Sequence, residues 1–488
     1  MARSVGLAGM LLGEPPRPAV VREHRLAPWL AVATVCFGAF MGQLDASIVT
    51  LAFPALQRQF GVGLAEVQWV SLAYLLALVA LLVPVGRWSD RYGRKIMYLY
   101  GFVVFAGASV ACGLAPSLPV LIGLRVVQAA GAAMLQANSV ALVATSAPGG
   151  RRRAALGIQA AAQALGLALG PVVGGLLVAS AGWRWIFFVN VPVGVIAVAA
   201  GWFLLPRTGQ LARDRGSDPP GMTLLALTAV GLLIAVSSLS GLGLPLRAVA
   251  GSAAAAAAAA AGLIWWERRS RAPLVDLPLL AAAGIAPALG GALCVYMVLF
   301  GPLVLLPQTL AAHGDGALRA GLLLTALPAG FGLAAVTAER ALPARWPTRR
   351  RCVAGGLLAT CSVAALAIPG PAAVTVVSLA LLGAGLGAYI PANNAQIMAA
   401  VPVRDAATAG GMVNMTRGLG TALGVAVVTL GLHAGARLSH ADGGRLAIAA
   451  LTAAALAATW AGTRSTAVPA GAAGHPAQEV TGERDDRG

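Results

Sequence analysis

Apolar runs separated by short polar connections recur along nearly the whole chain. Each is close to the 20 or so residues that cross a hydrocarbon core as a helix. Fourteen can be drawn, at 28–51, 68–88, 96–115, 118–143, 154–178, 185–205, 222–241, 247–266, 284–312, 318–341, 351–367, 371–398, 407–433 and 444–462. An isolated strand in lipid would leave its backbone groups unpaired, so the pattern predicts an all-α integral membrane protein with 14 transmembrane helices. The weakest run is 247–266, because Ala253 to Ala261 is unbroken alanine, which inserts only weakly. Trp265 and Trp266, followed by Glu267, Arg268 and Arg269, give it an interfacial anchor and a cytoplasmic exit.

Composition agrees. Of 488 residues, 58% are hydrophobic and 10% charged, whereas soluble domains are about a quarter charged. The formal net charge of +17 would point to nucleic acid in a soluble chain, so the placement of the charges decides. With the N-terminus inside, 26 of the 34 Lys and Arg fall on the inner side, 6 on the outer and 2 within spans. The inner clusters occupy every second loop, for example Arg87, Arg91, Arg94 and Lys95, then Arg151 to Arg153, then Arg349 to Arg351. That is positive-inside topology with both termini cytoplasmic, in a multi-pass plasma (inner) membrane protein, and it removes nucleic acid as a partner. The five cysteines show neither pairing nor metal spacing and read as small core residues.

The boundaries that follow are a cytoplasmic tail over 1–26, a six-helix half over 27–205, a polar loop over 206–221, two inserted helices with their loop over 222–283, a second six-helix half over 284–462, and a disordered tail over 463–488. The apolar patch Val5 to Leu12 runs into Glu14, prolines and arginines rather than a small-residue cleavage site, so it reads as part of the tail.

Of 17 acidic residues, only Asp45 lies well inside a span, and Glu339 sits at the inner end of another. A charge at the bilayer centre costs at least about 2.5–3.5 kcal/mol, so such residues usually face a cavity or a partner. Arg125 and Arg417 are the two basic residues inside spans. Arg125 either pairs with Asp45 as a structural ion pair or supplies the field that makes the carboxylate release its proton. Desolvation favours the protonated acid and a nearby cation the ionised one, so a motion that changes either gives a proton switch.

GRWSDRYGRK, Gly86 to Lys95, joins spans two and three on the inner side in a very short turn, with Asp90 between Gly86 and Gly93 and among Arg87, Arg91, Arg94 and Lys95. Inner positive charge does not explain the acid. The segment resembles the loop signature of the major facilitator superfamily, with Trp88 where leucine is common. LDASIVTLAFPAL resembles the first-span motif of drug:proton antiporters, with Asp45 on its acid and Pro54 on its proline, and LIGLRVVQAAGAA their fourth-span motif, with Arg125 on its arginine. LGLALGPVVGG resembles their fifth-span antiporter motif through Gly166, Gly170, Pro171, Gly174 and Gly175. WRWIFFVNVP, Trp183 to Pro192, is similar to the start of the sixth span in the fourteen-span branch, and NMTRGLG places Arg417 on that branch's arginine. The second-half copy of the loop signature is degraded: ERALPARWPTRRR, from Glu339, keeps positive charge but not the glycine–aspartate core.

The resemblance implies a major facilitator fold, two six-helix halves rocking about a central cavity with two helices inserted between them, and proton coupling through Asp45 and Arg125. It implies a monomer, driven by the proton gradient with no cofactor or metal, whose partners are protons, membrane lipid and a lipophilic small molecule. Candidate cavity groups are Gln43, Asn138, Gln163, Asn190, Asn393, Asn414 and Arg417, each also explicable as an interhelical hydrogen bond. So few polar groups favour an amphipathic or lipophilic substrate, and efflux of drugs or antibiotics is the expected function. A dedicated exporter of one secondary metabolite is the alternative. The glycine–proline run is expected to lie against the partner half as a seal. No HExxH, GxSxG or Walker loop supports an enzyme, and no charge ring or filter loop supports a channel.

Overall fold

The computed structural model describes residue 14 and residues 17–148, 150–211, 218–238, 245–270, 273, 284–312, 322–343, 345–368, 370–436 and 440–464. Every regular element among them is a helix. In chain order the long ones are α1 Ala27–Ile48, α2 Leu64–Tyr92, α3 Arg94–Gly113, α4 Leu118–Ser146, α5 Arg152–Ser180, α6 Asn190–Leu204 and α7 Pro219–Ser237. They continue with α8 Leu246–Glu267, α9 Ile285–Ala312, α10 Ala326–Ala341, α11 Thr348–Ala365, α12 Ala372–Ala400, α13 Ala406–Ala436 and α14 His440–Thr463. Most of the expected tails, and much of the loops 206–221 and 267–283, lie outside the described residues.

Thirteen of the expected spans are helices long and apolar enough to cross a membrane. The exception is α11, a helix of 18 residues that opens on Arg349, Arg350 and Arg351 and so has a short apolar stretch. It stands where span 351–367 is expected, packed on α12 and α14. The first span is longer than expected. After Ile48 a tight turn over Val49–Ala52 leads into a further helix, Phe53–Phe60, with Pro54 in its first turn. Proline brings no N–H to the hydrogen-bond ladder, so the helix tightens and continues at this point instead of stopping.

The packing repeats with a period of eight helices. In the first half α1 packs on α5, α2 and α3 on α4, and α6 on α1 and α3. In the second, α9 packs on α13, α10 and α11 on α12, and α14 on α9 and α11. The halves meet where α13 contacts α2 and α4, and where α5 contacts α10 and α12. Glycine makes the first of these contacts a backbone one, since a Cβ on Gly86 would lie 2.5 Å from the Ala407 carbonyl oxygen. The pair α7 and α8 stands beside this bundle, with α7 against α2 and α13. Asp218 ties the pair together, accepting from the Gly221 amide at 3.1 Å and the Trp266 indole at 2.7 Å.

Candidate functional site

The buried face of α1 runs through Met41, Leu44, Asp45 and Ile48, the spacing of one helical stripe. Asp45 therefore points inward and is fully buried. Arg125 Nη1 of α4 donates to Asp45 Oδ2 at 2.8 Å. Gln128 Nε2, three residues further along the same face of α4, and Asn190 Nδ2, at the start of α6, each donate to Oδ1 at 3.1 Å. Gln128 Nε2 also donates to Ser109 Oγ of α3 at 2.8 Å, and its Oε1 accepts from Arg125 at 2.6 Å. The guanidinium is held on its other side by the Val70 carbonyl of α2 at 3.1 Å, and it stacks 4.0 Å from the centre of the Tyr74 ring.

Five helices of the first half thus converge on one carboxylate. Three donors reach its oxygens, which is how an ionised group is tolerated away from water. The same bonds make Arg125 dependent on Asp45: with the carboxylate protonated, the guanidinium would have no counter-charge here.

At the end of the bundle that the charge pattern predicts to be cytoplasmic, here called the inner end, Asp90 near the end of α2 is also fully buried. It accepts from Arg94 Nε at 2.9 Å and, across the interface, from the Ala407 amide at 2.9 Å and the Thr408 amide and hydroxyl at 2.8 Å. An acid at the first amides of α13 satisfies donors that have no partner within the helix. Gly93 turns the chain with φ 123°, a conformation few other residues adopt. Arg94 also donates to the Val403 carbonyl, and Lys95 Nζ to the Trp202 carbonyl at 2.8 Å. Arg91 is turned outward over the Tyr92 ring. Glu14, from the expected tail, accepts from the Lys95 amide at 3.0 Å and so caps α3.

The degraded copy in the second half has kept its acid. Glu339 Oε1 accepts from Arg153 of α5 at 2.9 Å and from Arg351 of α11 at 3.1 Å, so it spans the halves as Asp90 does.

The glycine–proline run corrects the expectation of a seal against the partner half. A Cβ on Gly166, Gly170 or Gly174 would collide with Phe40, Ser47 or Ile48 of α1, in the same half. The glycine of α5 that touches the partner half is Gly157, against the Ala335 carbonyl of α10. Nine residues separate Gly157 from Gly166, which turns them to opposite sides of the helix at about 100° per residue. Gly175 has nothing within 4 Å, and Pro171 continues α5.

The candidate cavity groups separate. Gln43 of α1, Gln163 of α5 and Arg417 of α13 line a narrow cleft between the halves. Asn190 belongs instead to the Asp45 cluster. Asn138 donates to Ser89 Oγ at 2.8 Å near the inner end, and Asn393 to the Ala288 carbonyl at 3.0 Å. Asn414 crosses the interface to the Gln136 carbonyl at 2.8 Å. The sequence did not single out Gln128, Ser109, Tyr74 or Gln136, whose Oε1 accepts from Arg417. The three-residue spacing from Arg125 could have found Gln128. Ser109 and Gln136 are brought in by packing alone.

The Major Facilitator Superfamily pattern matches residues 35–425. The chain belongs to that family. The riboflavin transporter RibZ of Clostridioides difficile (strain 630) is 29% identical over 82% of this chain and 87% of its own length. The drug efflux pump JefA of Mycobacterium tuberculosis (strain ATCC 25618 / H37Rv) is 34% identical over 81% of this chain and 79% of its own length. Among solved structures, the human organic anion transporter MFSD10 matches with a TM-score of 0.65 at 16% identity, over 89% of this chain and 99% of that one. This chain has the major facilitator fold and is a multi-pass membrane transporter of small molecules, not an enzyme.

Proposed function

We propose that the chain is a secondary active efflux transporter, moving a lipophilic or amphipathic compound out across the plasma membrane in exchange for protons. The observation that carries this reading is the Asp45 cluster: a lone carboxylate of the membrane interior, wholly buried and held by Arg125 at 2.8 Å. Drug efflux by JefA, a relative at 34% identity, supports it. The cycle starts with the inner end closed by Asp90 and Glu339. A proton entering from outside neutralises Asp45 and releases Arg125, and the halves rock about their shared faces. The proton then leaves inward as Arg125 returns to the carboxylate. The gradient drives this without a bound cofactor, in a monomer with both termini cytoplasmic.

A dedicated exporter of one compound is the second reading, favoured by RibZ, a relative named for a single substrate. Proteoliposomes with an internal pH dye test both. Efflux predicts proton flux triggered by added substrates and abolished when the proton gradient is collapsed. A response to many lipophilic compounds supports the first reading and a response to one supports the second. Substrate uptake without proton movement would contradict both.

A further inference from the structure

The charges of the membrane interior do not balance. Asp45 is taken by Arg125. Arg417, on α13, is 8% exposed, yet among the described residues no carboxylate lies within ion-pair distance of it. Its contacts are neutral: the Gln136 side-chain oxygen across the interface and the Tyr296 hydroxyl of α9. A cation kept out of water without a counter-charge costs several kcal/mol, and helix packing alone does not require one.

The surroundings of Arg417 are unfinished in the same sense. Gln43 and Gln163 line the same cleft, and neither side chain has a hydrogen-bond partner among the described residues. The Tyr74 hydroxyl, on a side chain only 4% exposed, is also without a partner and interacts electrostatically with Arg417. Two amides and a guanidinium with free hydrogen-bonding capacity thus gather where the halves meet, while Leu135 and the small residues Gly38, Ala39 and Gly42 give the cleft an apolar wall. An interhelical network would have spent these groups on one another. Asp45, by contrast, does not line the cleft, and its oxygens are already engaged, so a cationic substrate finds no acid there.

We infer that the cleft, which is closed to water in this structure and widens only when the halves rock apart, is a recognition site for an amphipathic organic anion, whose acid oxygens pair with Arg417 and whose apolar body lies along Leu135 and the small residues of α1. Gln43 and Gln163 supply further hydrogen bonds to it. This deepens the efflux reading by giving the substrate a charge, and it separates the two ions of the cycle. The proton uses Asp45 in the first half, and the substrate anion uses Arg417 from the second. Arginine suits this task because its planar fork binds a carboxylate or sulfonate through two parallel hydrogen bonds.

Three probes with one ring system test the site: pyrenebutyrate, its neutral methyl ester, and pyrenebutylammonium. Binding to the purified full chain in detergent is read by energy transfer from tryptophan to pyrene, and the same probes are then added to proteoliposomes that report proton flux. The wild type should bind the carboxylate at least tenfold more tightly than the ester or the ammonium. Arg417→Gln should abolish that preference and Arg417→Lys should restore part of it, both eluting as the intact protein on gel filtration. Ammonium or ester binding as tight as the carboxylate, or carboxylate binding unchanged in Arg417→Gln, overturns the anion site. If the ammonium then drives proton flux, the efflux reading survives that loss. A carboxylate preference that depends on Arg417 but is accompanied by no proton flux from any probe leaves the anion site standing and removes proton-coupled efflux.

Discussion

In the first half, α1 and α4 bring Asp45 and Arg125 to 2.8 Å. In the second, the matching helices α9 and α12 contain no acid in their sequence, and Asn393 donates instead to the Ala288 carbonyl at 3.0 Å. The inner ends differ in the same direction. Asp90 is fully buried and bonded to backbone amides of α13, whereas Glu339 is 28% exposed and bonded to two arginines. The repeat preserves backbone packing, helix for helix, while the buried acid chemistry sits on one side only. Fold symmetry sets where helices touch, and individual side chains set which of those contacts can respond to a proton.

The largest effect should come from Arg125→Met, which removes the only counter-charge within ion-pair distance of Asp45 among the described residues. A loss of about 3–5 kcal/mol is expected, seen as a lower unfolding temperature in detergent. The double variant Asp45→Asn with Arg125→Met should regain most of it, because both charges leave together. A single variant as stable as wild type would show that the two halves do not differ in this respect.

Asp90→Ala should cost about 3 kcal/mol, because it strands Arg94 and the first amides of α13. Glu339→Gln tests the other inner end and should cost less than Asp90→Ala, since Glu339 and Arg153 are partly exposed and the buried Arg351 keeps backbone carbonyl partners at Ala338 and Pro343. Equal losses, measured by thermal unfolding, would mean that the inner ends are equivalent after all. Gly170→Ala should cost about 1–3 kcal/mol through overlap with Ser47 on α1, and Gly175→Ala close to nothing.

The number and order of helices were legible in the sequence, because apolar length is a property of the chain itself. The Asp45–Arg125 pairing was legible only as one of two alternatives: a single acid inside a span needs a buried cation, and the sequence offers two, Arg125 and Arg417, of which packing brings Arg125 to 2.8 Å. The facing of the glycine run was not legible. Its four-residue spacing reports a close-packed stripe and is silent on which helix fills it. The second inner latch was hidden for a similar reason. Glu339 meets Arg153 across 186 residues of sequence, and the lost glycine–aspartate core disguised a contact that keeps the acid while moving its partners to α5 and α11. The first span, expected to end at 51, runs on through a tight turn over Val49–Ala52 to Phe60.

The most direct test of the account is substrate movement by Asp45→Asn in proteoliposomes, under a proton gradient and then in counterflow with no gradient. The variant should lose uphill transport and substrate-triggered proton flux while still exchanging substrate in counterflow at a rate within a few-fold of wild type. Uphill transport retained by Asp45→Asn would contradict it, and would leave the pair with Arg125 as a structural bond.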